Sequence, residues 1–155
     1  MQSPKSLKEM QSLSGKLAAL NRFLSKSAER SLPFFETLKN ITKDNKDRYQ
    51  WTETAEKDFQ EMKKMILELP CLTTPKPKED MYLYLSATKE AISGVMLVER
   101  EGRQIPVHYV SRTLHEAERN YAPVEKLALA LRHLSRRLRW YFEAHPIKVI
   151  TDQPI

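Results

Sequence analysis

The sequence predicts an α+β fold, a helical segment followed by a small sheet, and three observations carry that prediction. Up to Leu69, apolar residues recur every three or four positions, the spacing of helices with one buried face. From Met81 the period drops to two, as in half-buried strands. One long amphipathic stretch, Pro123 to Phe142, then separates a hairpin from a last short strand.

The first helix is expected to open at Ser3-Pro4, a cap followed by a first-turn proline, with Leu7, Met10, Leu13, Leu17, Leu20 and Leu24 on its stripe. Pro33 restarts a short helix through Phe34, Phe35 and Leu38. The polar run Thr42 to Arg48 reads as a surface loop. A cleaner helix follows, capped by Thr52, with Glu53 and Glu56 at the positive end of its dipole. Its narrow stripe is Ala55, Phe59, Met62, Ile66 and Leu69, and Pro70 ends it. Thr73 to Lys78 is too rich in proline for regular structure and reads as an extended linker.

In the first strand Tyr82, Tyr84 and Ser86 alternate with Met81, Leu83 and Leu85. Val95 to Val98 and Ile105 to Val110 flank Glu101-Gly102, a tight hairpin turn. Pro106 gives up a ladder hydrogen bond, so it belongs on an edge or at a bulge. The long helix carries Val124, Leu127, Leu131, Leu134, Leu138 and Tyr141 on one stripe, and Ile147 to Thr151 is the final strand.

At 155 residues the chain suits one domain or two small modules sharing an interface. The expected division is a helical segment at 1–70, a proline-rich linker at 71–80 and a sheet domain at 81–155. A content of 41% hydrophobic and 30% charged residues fits a globular protein. No apolar run approaches the roughly 20 residues that cross a bilayer, and no signal-peptide pattern opens the chain. The lone Cys71 has no intrachain partner and no metal-ligand spacing, which points to an intracellular setting, cytoplasmic or nuclear. A net charge of +6 leans toward polyanionic partners without requiring them.

Several stretches together resemble the pol polyprotein of gypsy-type LTR retrotransposons, plant elements especially. They are Leu13 to Leu24, Leu32-Pro33-Phe34-Phe35, Trp51-Thr52, Val107 to Leu114 and Glu118-Arg119-Asn120-Tyr121, in that order along nearly the whole chain. The resemblance implies a reverse transcriptase thumb-to-connection region followed by the first half of a ribonuclease H-like domain. Its sheet would be truncated, with three antiparallel strands, a long helix and a fourth, parallel strand. The polymerase palm would lie before Met1, and the remaining ribonuclease H elements, with a fourth carboxylate, after Ile155.

Ribonuclease H chemistry holds two divalent metals about 4 Å apart, and magnesium asks for hard oxygen ligands. On this resemblance the first acid falls at Ser86, in Ser86-Ala87-Thr88, and the second at Leu127, in Leu127-Ala128-Leu129-Ala130. The third falls at Asp152, in Thr151-Asp152. Asp80 cannot replace Ser86, since six strand residues at ~3.3 Å span roughly 20 Å. Glu125 lies ~200° around the helix from position 127. No intact catalytic set and no metal are therefore expected, magnesium being implied only by a complete set of acids.

The long helix also bears Lys126, Arg132, Arg136, Arg137 and Arg139, then Trp140, Tyr141 and Phe142. Guanidiniums can grip phosphates, and by spacing Arg132, Arg136 and Arg139 share a face. A solvated face with cations suited to the helix dipole is the alternative. His108, His115, His133 and His145 show no ligand spacing. The favoured expectation is a non-catalytic connection module that helps to hold an RNA/DNA template–primer duplex. Its neighbours would be a polymerase and downstream ribonuclease H and integrase regions, with no membrane partner. An atypical ribonuclease H completed by flanking polyprotein and a domesticated protein-interaction module are the alternatives.

Overall fold

The computed structural model describes residues 1–39, 41 and 44–154. Thr42 and Lys43 of the expected polar loop lie outside the described residues, and the rest of that loop includes a 3-10 turn at Lys46–Arg48. Four helices come first: α1 (Leu7–Leu20), α2 (Ser27–Arg30), α3 (Leu32–Glu36) and α4 (Glu53–Leu67), with a 3-10 turn at Asn21–Phe23. The sheet region follows as β1 (Met81–Ala87), β2 (Ala91–Arg100), β3 (Arg103–Thr113), α5 (Glu116–Arg119), α6 (Pro123–Arg137), α7 (Arg139–Ala144) and β4 (Ile147–Ile150). The strand order is β3-β2-β1-β4, antiparallel except for the parallel β1–β4 pair. This is the α+β, helices-then-mixed-sheet architecture that the sequence predicts.

Ser6, not Ser3, caps α1: its hydroxyl accepts the Glu9 N–H at 3.3 Å, while the Lys5 N–H donates to Glu9 Oε2 at 2.7 Å. The Ser3 side chain instead is the foremost influence, ahead of Gln60 and Trp51, that holds the Glu56 carboxyl below its usual range. Thr52 caps α4 as predicted, accepting the Ala55 N–H at 3.1 Å. That helix closes at Leu67, three residues before Pro70, because a proline drives its predecessor out of the helical region. Met10, Leu13, Leu17, Phe34, Ala55, Phe59 and Met62 form a first core. Trp51 closes it, stacked on Phe34 at 5.6 Å and edge-on to Phe59 at 5.8 Å.

In β1, Met81, Leu83 and Leu85 are buried and join Ile92, Met96, Val98, Val107, Val110, Leu127, Ala130, Leu134 and Leu138 in a second core. Glu101 and Gly102 both have positive φ (53° and 71°), the two-residue turn whose twist suits a hairpin. Pro106 meets both expectations placed on it. Strand β3 is an edge, and Met96 pairs with His108 while Leu97 pairs with Pro106, so Val107 is bulged between them. Gly94 allows α6 to seat on the sheet: a Cβ there would stand 2.3 Å from Leu134 Cδ2 and 2.9 Å from the Tyr84 carbonyl oxygen.

The predicted single helix from Pro123 to Phe142 is interrupted at Leu138 (φ −109°, ψ 27°). The break leaves Leu138 buried and lets Tyr141 and Phe142 pack against the same core. Val124, expected on the buried stripe, is exposed, and Ala130 is fully buried instead. The helical segment packs on the edge strand: Ser111 Oγ accepts the Ala28 N–H at 2.8 Å and hydrogen-bonds Ser27 Oγ at 2.9 Å. The linker joins there too, the Thr73 N–H donating to the Pro106 carbonyl at 3.0 Å. Arg100 clamps it with a two-pronged pair to Glu79, at 2.8 Å each, and with bonds to Thr73 Oγ1 and the Thr74 carbonyl.

Candidate functional site

The carboxyl ends of β1 and β4 define the corner where the acids of the resembled family would gather. Parallel pairing sets Tyr84 beside Ile150, so two residues further on Asp152 falls level with Ser86, just past the end of β4. Antiparallel pairing sets Ser86 against Ser93. Leu127 does not join them at a polar surface. It is 6% exposed and packs in the core with Leu83 and Leu85, whereas strand alternation puts Ser86 on the opposite row. The corner thus offers a half-buried hydroxyl, a buried aliphatic side chain and one exposed carboxylate.

That set does not fit a pair of divalent ions. Magnesium is held by several oxygens that offset its charge, and a leucine supplies none. Among the described residues no group of three or more His, Cys, Asp or Glu could hold a metal ion. Asp152 sits in a turn in which Thr151 Oγ1 accepts the Gln153 N–H at 2.9 Å.

The five basic residues of the long helix are scattered rather than aligned. Lys126 is only 8% exposed, and its ammonium donates to the Thr88 carbonyl at 3.4 Å, bracing the end of β1 instead of facing solvent. Arg132 and Arg136 are exposed on α6 one turn apart. Arg139 lies beyond the break at Leu138, 4.8 Å from the Trp140 ring and paired with Glu143 at 3.2 Å.

Arg137 belongs to a different feature. A groove of about 400 Å³ runs between the end of α1, the edge strand β3 and α6, lined in part by Arg22, His108, Arg112, His133 and Arg137. Arg112 is held by Glu118 in a two-pronged pair, 3.0 and 3.1 Å, which keeps the Glu118 carboxyl below its usual range. Glu118 also accepts the His115 N–H at 2.9 Å and so caps α5. Burial, then Arg22 and Arg137, lower the His108 pKa. Burial likewise lowers that of His133, with Arg112 and Arg137 acting in the same direction and Glu118 opposing. Sequence reasoning missed this assembly because Arg22 lies more than eighty residues from its sheet-side neighbours; only the i, i+4 spacing of His133 and Arg137 was visible.

Residues 51–149 match the family described as the RNase H-like domain found in reverse transcriptase. The chain is 32% identical over 168 aligned positions to the Retrovirus-related Pol polyprotein from transposon opus of Drosophila melanogaster, covering all of this chain and 16% of that protein. It is 26% identical over 152 positions to the Transposon Tf2-3 polyprotein of Schizosaccharomyces pombe, covering 96% of this chain and 11% of that one. The chain therefore spans about a tenth to a sixth of the relatives it matches. Among solved structures, a foamy viral protease-reverse transcriptase in complex with double-stranded DNA superposes with a TM-score of 0.81 at 21% identity, over 96% of this chain and 25% of that chain. The same foamy viral protein in complex with an RNA/DNA hybrid gives 0.75 at 22%, over 96% and 20%. At such identities the likeness is one of fold. The chain belongs to the RNase H-like domain family found in reverse transcriptase and is a relative of retrotransposon Pol polyproteins.

Proposed function

We propose that this chain is a non-catalytic connection module of a gypsy-type, plant-like retrotransposon reverse transcriptase, one that helps to hold an RNA/DNA template–primer duplex. The observation that carries the reading is the acid corner. Ser86 and the exposed Asp152 fall level at the ends of β1 and β4, Leu127, the remaining position that the resemblance gives to an acid, is buried in the core, and one carboxylate cannot hold two metals. The fold persists around that corner, so what it offers a substrate is shape and charge. Exposed Arg132, Arg136 and Arg137 and the net charge of +6 suit a phosphate backbone. Foamy viral relatives of this fold have been solved with double-stranded DNA and with an RNA/DNA hybrid. In a longer protein the module would lie between a polymerase and downstream ribonuclease H and integrase regions, in an intracellular setting.

The test is equilibrium binding of an RNA/DNA hybrid across a salt series. Each guanidinium that touches a phosphate contributes about 1 to the slope of log affinity against log salt, so Arg132→Ala with Arg136→Ala should lower that slope by about 2. Unchanged slope and affinity in the double variant would remove these arginines from the interface.

A further inference from the structure

The groove between α1, β3 and α6 is separate from the acid corner and from Arg132 and Arg136, and shares only Arg137 with the residues offered above to a duplex. Its charge is one-sided. Three guanidiniums, Arg22, Arg112 and Arg137, line it, and Glu118, the carboxylate found facing them among the described residues, is taken up by Arg112. That leaves Arg22 and Arg137, brought together from opposite ends of the chain, with an uncompensated charge of about +2 while the imidazoles are neutral. His108 and His133 stand in the same lining, half-buried, and could each add a further charge. The Ser111 hydroxyl is already engaged by Ser27 and Ala28, so it fixes the wall of the groove. A cleft with forked cationic donors and titratable imidazoles suits a tetrahedral oxyanion, because guanidinium geometry matches phosphate oxygens in pairs. At about 400 Å³ the groove has room for a phosphate and the group that bears it.

We propose that this groove is a phosphate-binding site, in which Arg22 and Arg137 supply the charge and His108 and His133 the protonatable donors. The assignment does not rest on the duplex-holding reading, since the groove would bind phosphate whether it arrived as a free ion, a terminal phosphate or part of a strand. It also gives the contact between the helical segment and the sheet a function, because Arg22 reaches the site from the first and Arg137 from the second.

Sulfate is the suitable first probe, being a dianion that does not titrate near neutrality. The full chain is titrated with sulfate while the imidazole proton resonances are followed by NMR. The signals of His108 and His133 should shift together and saturate, while those of His115 and His145 stay in place. Arg22→Ala with Arg137→Ala should weaken the affinity by about tenfold or more. Lys57→Ala with Lys64→Ala, a matched loss of two charges on exposed α4 surface, should not. His108 faces Arg22, Arg137 and the Tyr141 ring, and His133 faces Arg112, Arg137 and Glu118. A bound anion offsets those guanidiniums and favours imidazolium, so sulfate should bind roughly threefold or more tightly at about pH 5.5 than at about pH 7.5. Absence of saturable shifts, or equal sulfate affinity in the double variant with its fold intact by circular dichroism, overturns the proposal. Competition then identifies the source: displacement of sulfate by an unphosphorylated RNA/DNA hybrid assigns the groove to a strand backbone, and displacement by pyrophosphate or a 5′-phosphorylated oligonucleotide alone assigns it to a terminal or free phosphate.

Discussion

Replacing Gly94 by alanine tests how closely α6 is seated on the sheet, and its size can be worked from the structure. The added methyl would stand 2.3 Å from Leu134 Cδ2 and 2.9 Å from the Tyr84 carbonyl oxygen, where carbon–carbon contacts prefer about 3.5–4.0 Å. Leu134 is fully buried, and the carbonyl belongs to a strand paired on both sides. Either the leucine leaves its rotamer or α6 lifts by about 1 Å. Overpacking of this kind costs about 1–3 kcal/mol, and the backbone contact places Gly94→Ala at about 3. For a chain of this length that is a loss of about 6–12 °C in Tm, read by circular dichroism. Leu134→Ala alone should cost about 2–5 kcal/mol, but the two changes together should cost at least about 1 kcal/mol less than their sum, since the new methyl enters the vacated space. A melting temperature within a degree or two of the parent, or strictly additive losses, would refute the packing of α6 on Gly94.

Three further outcomes follow from the same structure. Leu127→Glu places an acid at the position expected from the resemblance but buries it at a 6%-exposed site, and should cost about 3 kcal/mol or more at neutral pH. A buried carboxyl has its pKa raised, so the loss should shrink as pH falls and the glutamate protonates; a pH-independent melting point would contradict this. Arg100, followed by the Lys76 N–H, holds the Glu79 carboxyl down to about 2 from 4.5. The clamp is therefore intact above about pH 4.5 and lost as pH falls toward 2, and Glu79→Gln should flatten that part of the acid limb in urea titrations. Glu101 sits at φ 53° in the hairpin turn, so Glu101→Asn should stabilise by about 0.5 kcal/mol, seen as a raised urea midpoint with an unchanged slope.

The fold was legible wherever a local rule had one answer. Thr52 announced its cap, Glu101-Gly102 its turn, and Pro106 both the edge and the bulge beside it. The errors lie where tertiary packing decided. Ser3 and Ser6 are both competent caps, and the helix begins at Leu7, where the Ser6 hydroxyl takes the Glu9 N–H. Helical periodicity ran straight through Leu138, because the break there keeps Leu138, Tyr141 and Phe142 all on the apolar stripe. Lys126 reads as a phosphate-binding lysine only until Thr88 is seen beside it. In the candidate site, the level placing of Ser86 and Asp152 was legible because both stand at strand ends, and the apolar stripe of the long helix foretold that Leu127 would be buried. The Arg22–Arg137 groove was not legible, since no local pattern links α1 to α6; it exists because α1 and its 3-10 turn pack against the edge strand.

One cleavage assay separates the proposed ribonuclease H-like shell, which holds a duplex without cutting it, from a nuclease. The full chain is incubated with an RNA/DNA hybrid labelled on the RNA strand, in excess magnesium and at concentrations where binding is complete. The expected result is bound hybrid with its RNA intact, and the same for Asp152→Asn. Cleavage of the RNA by the parent chain, abolished in Asp152→Asn, would contradict it.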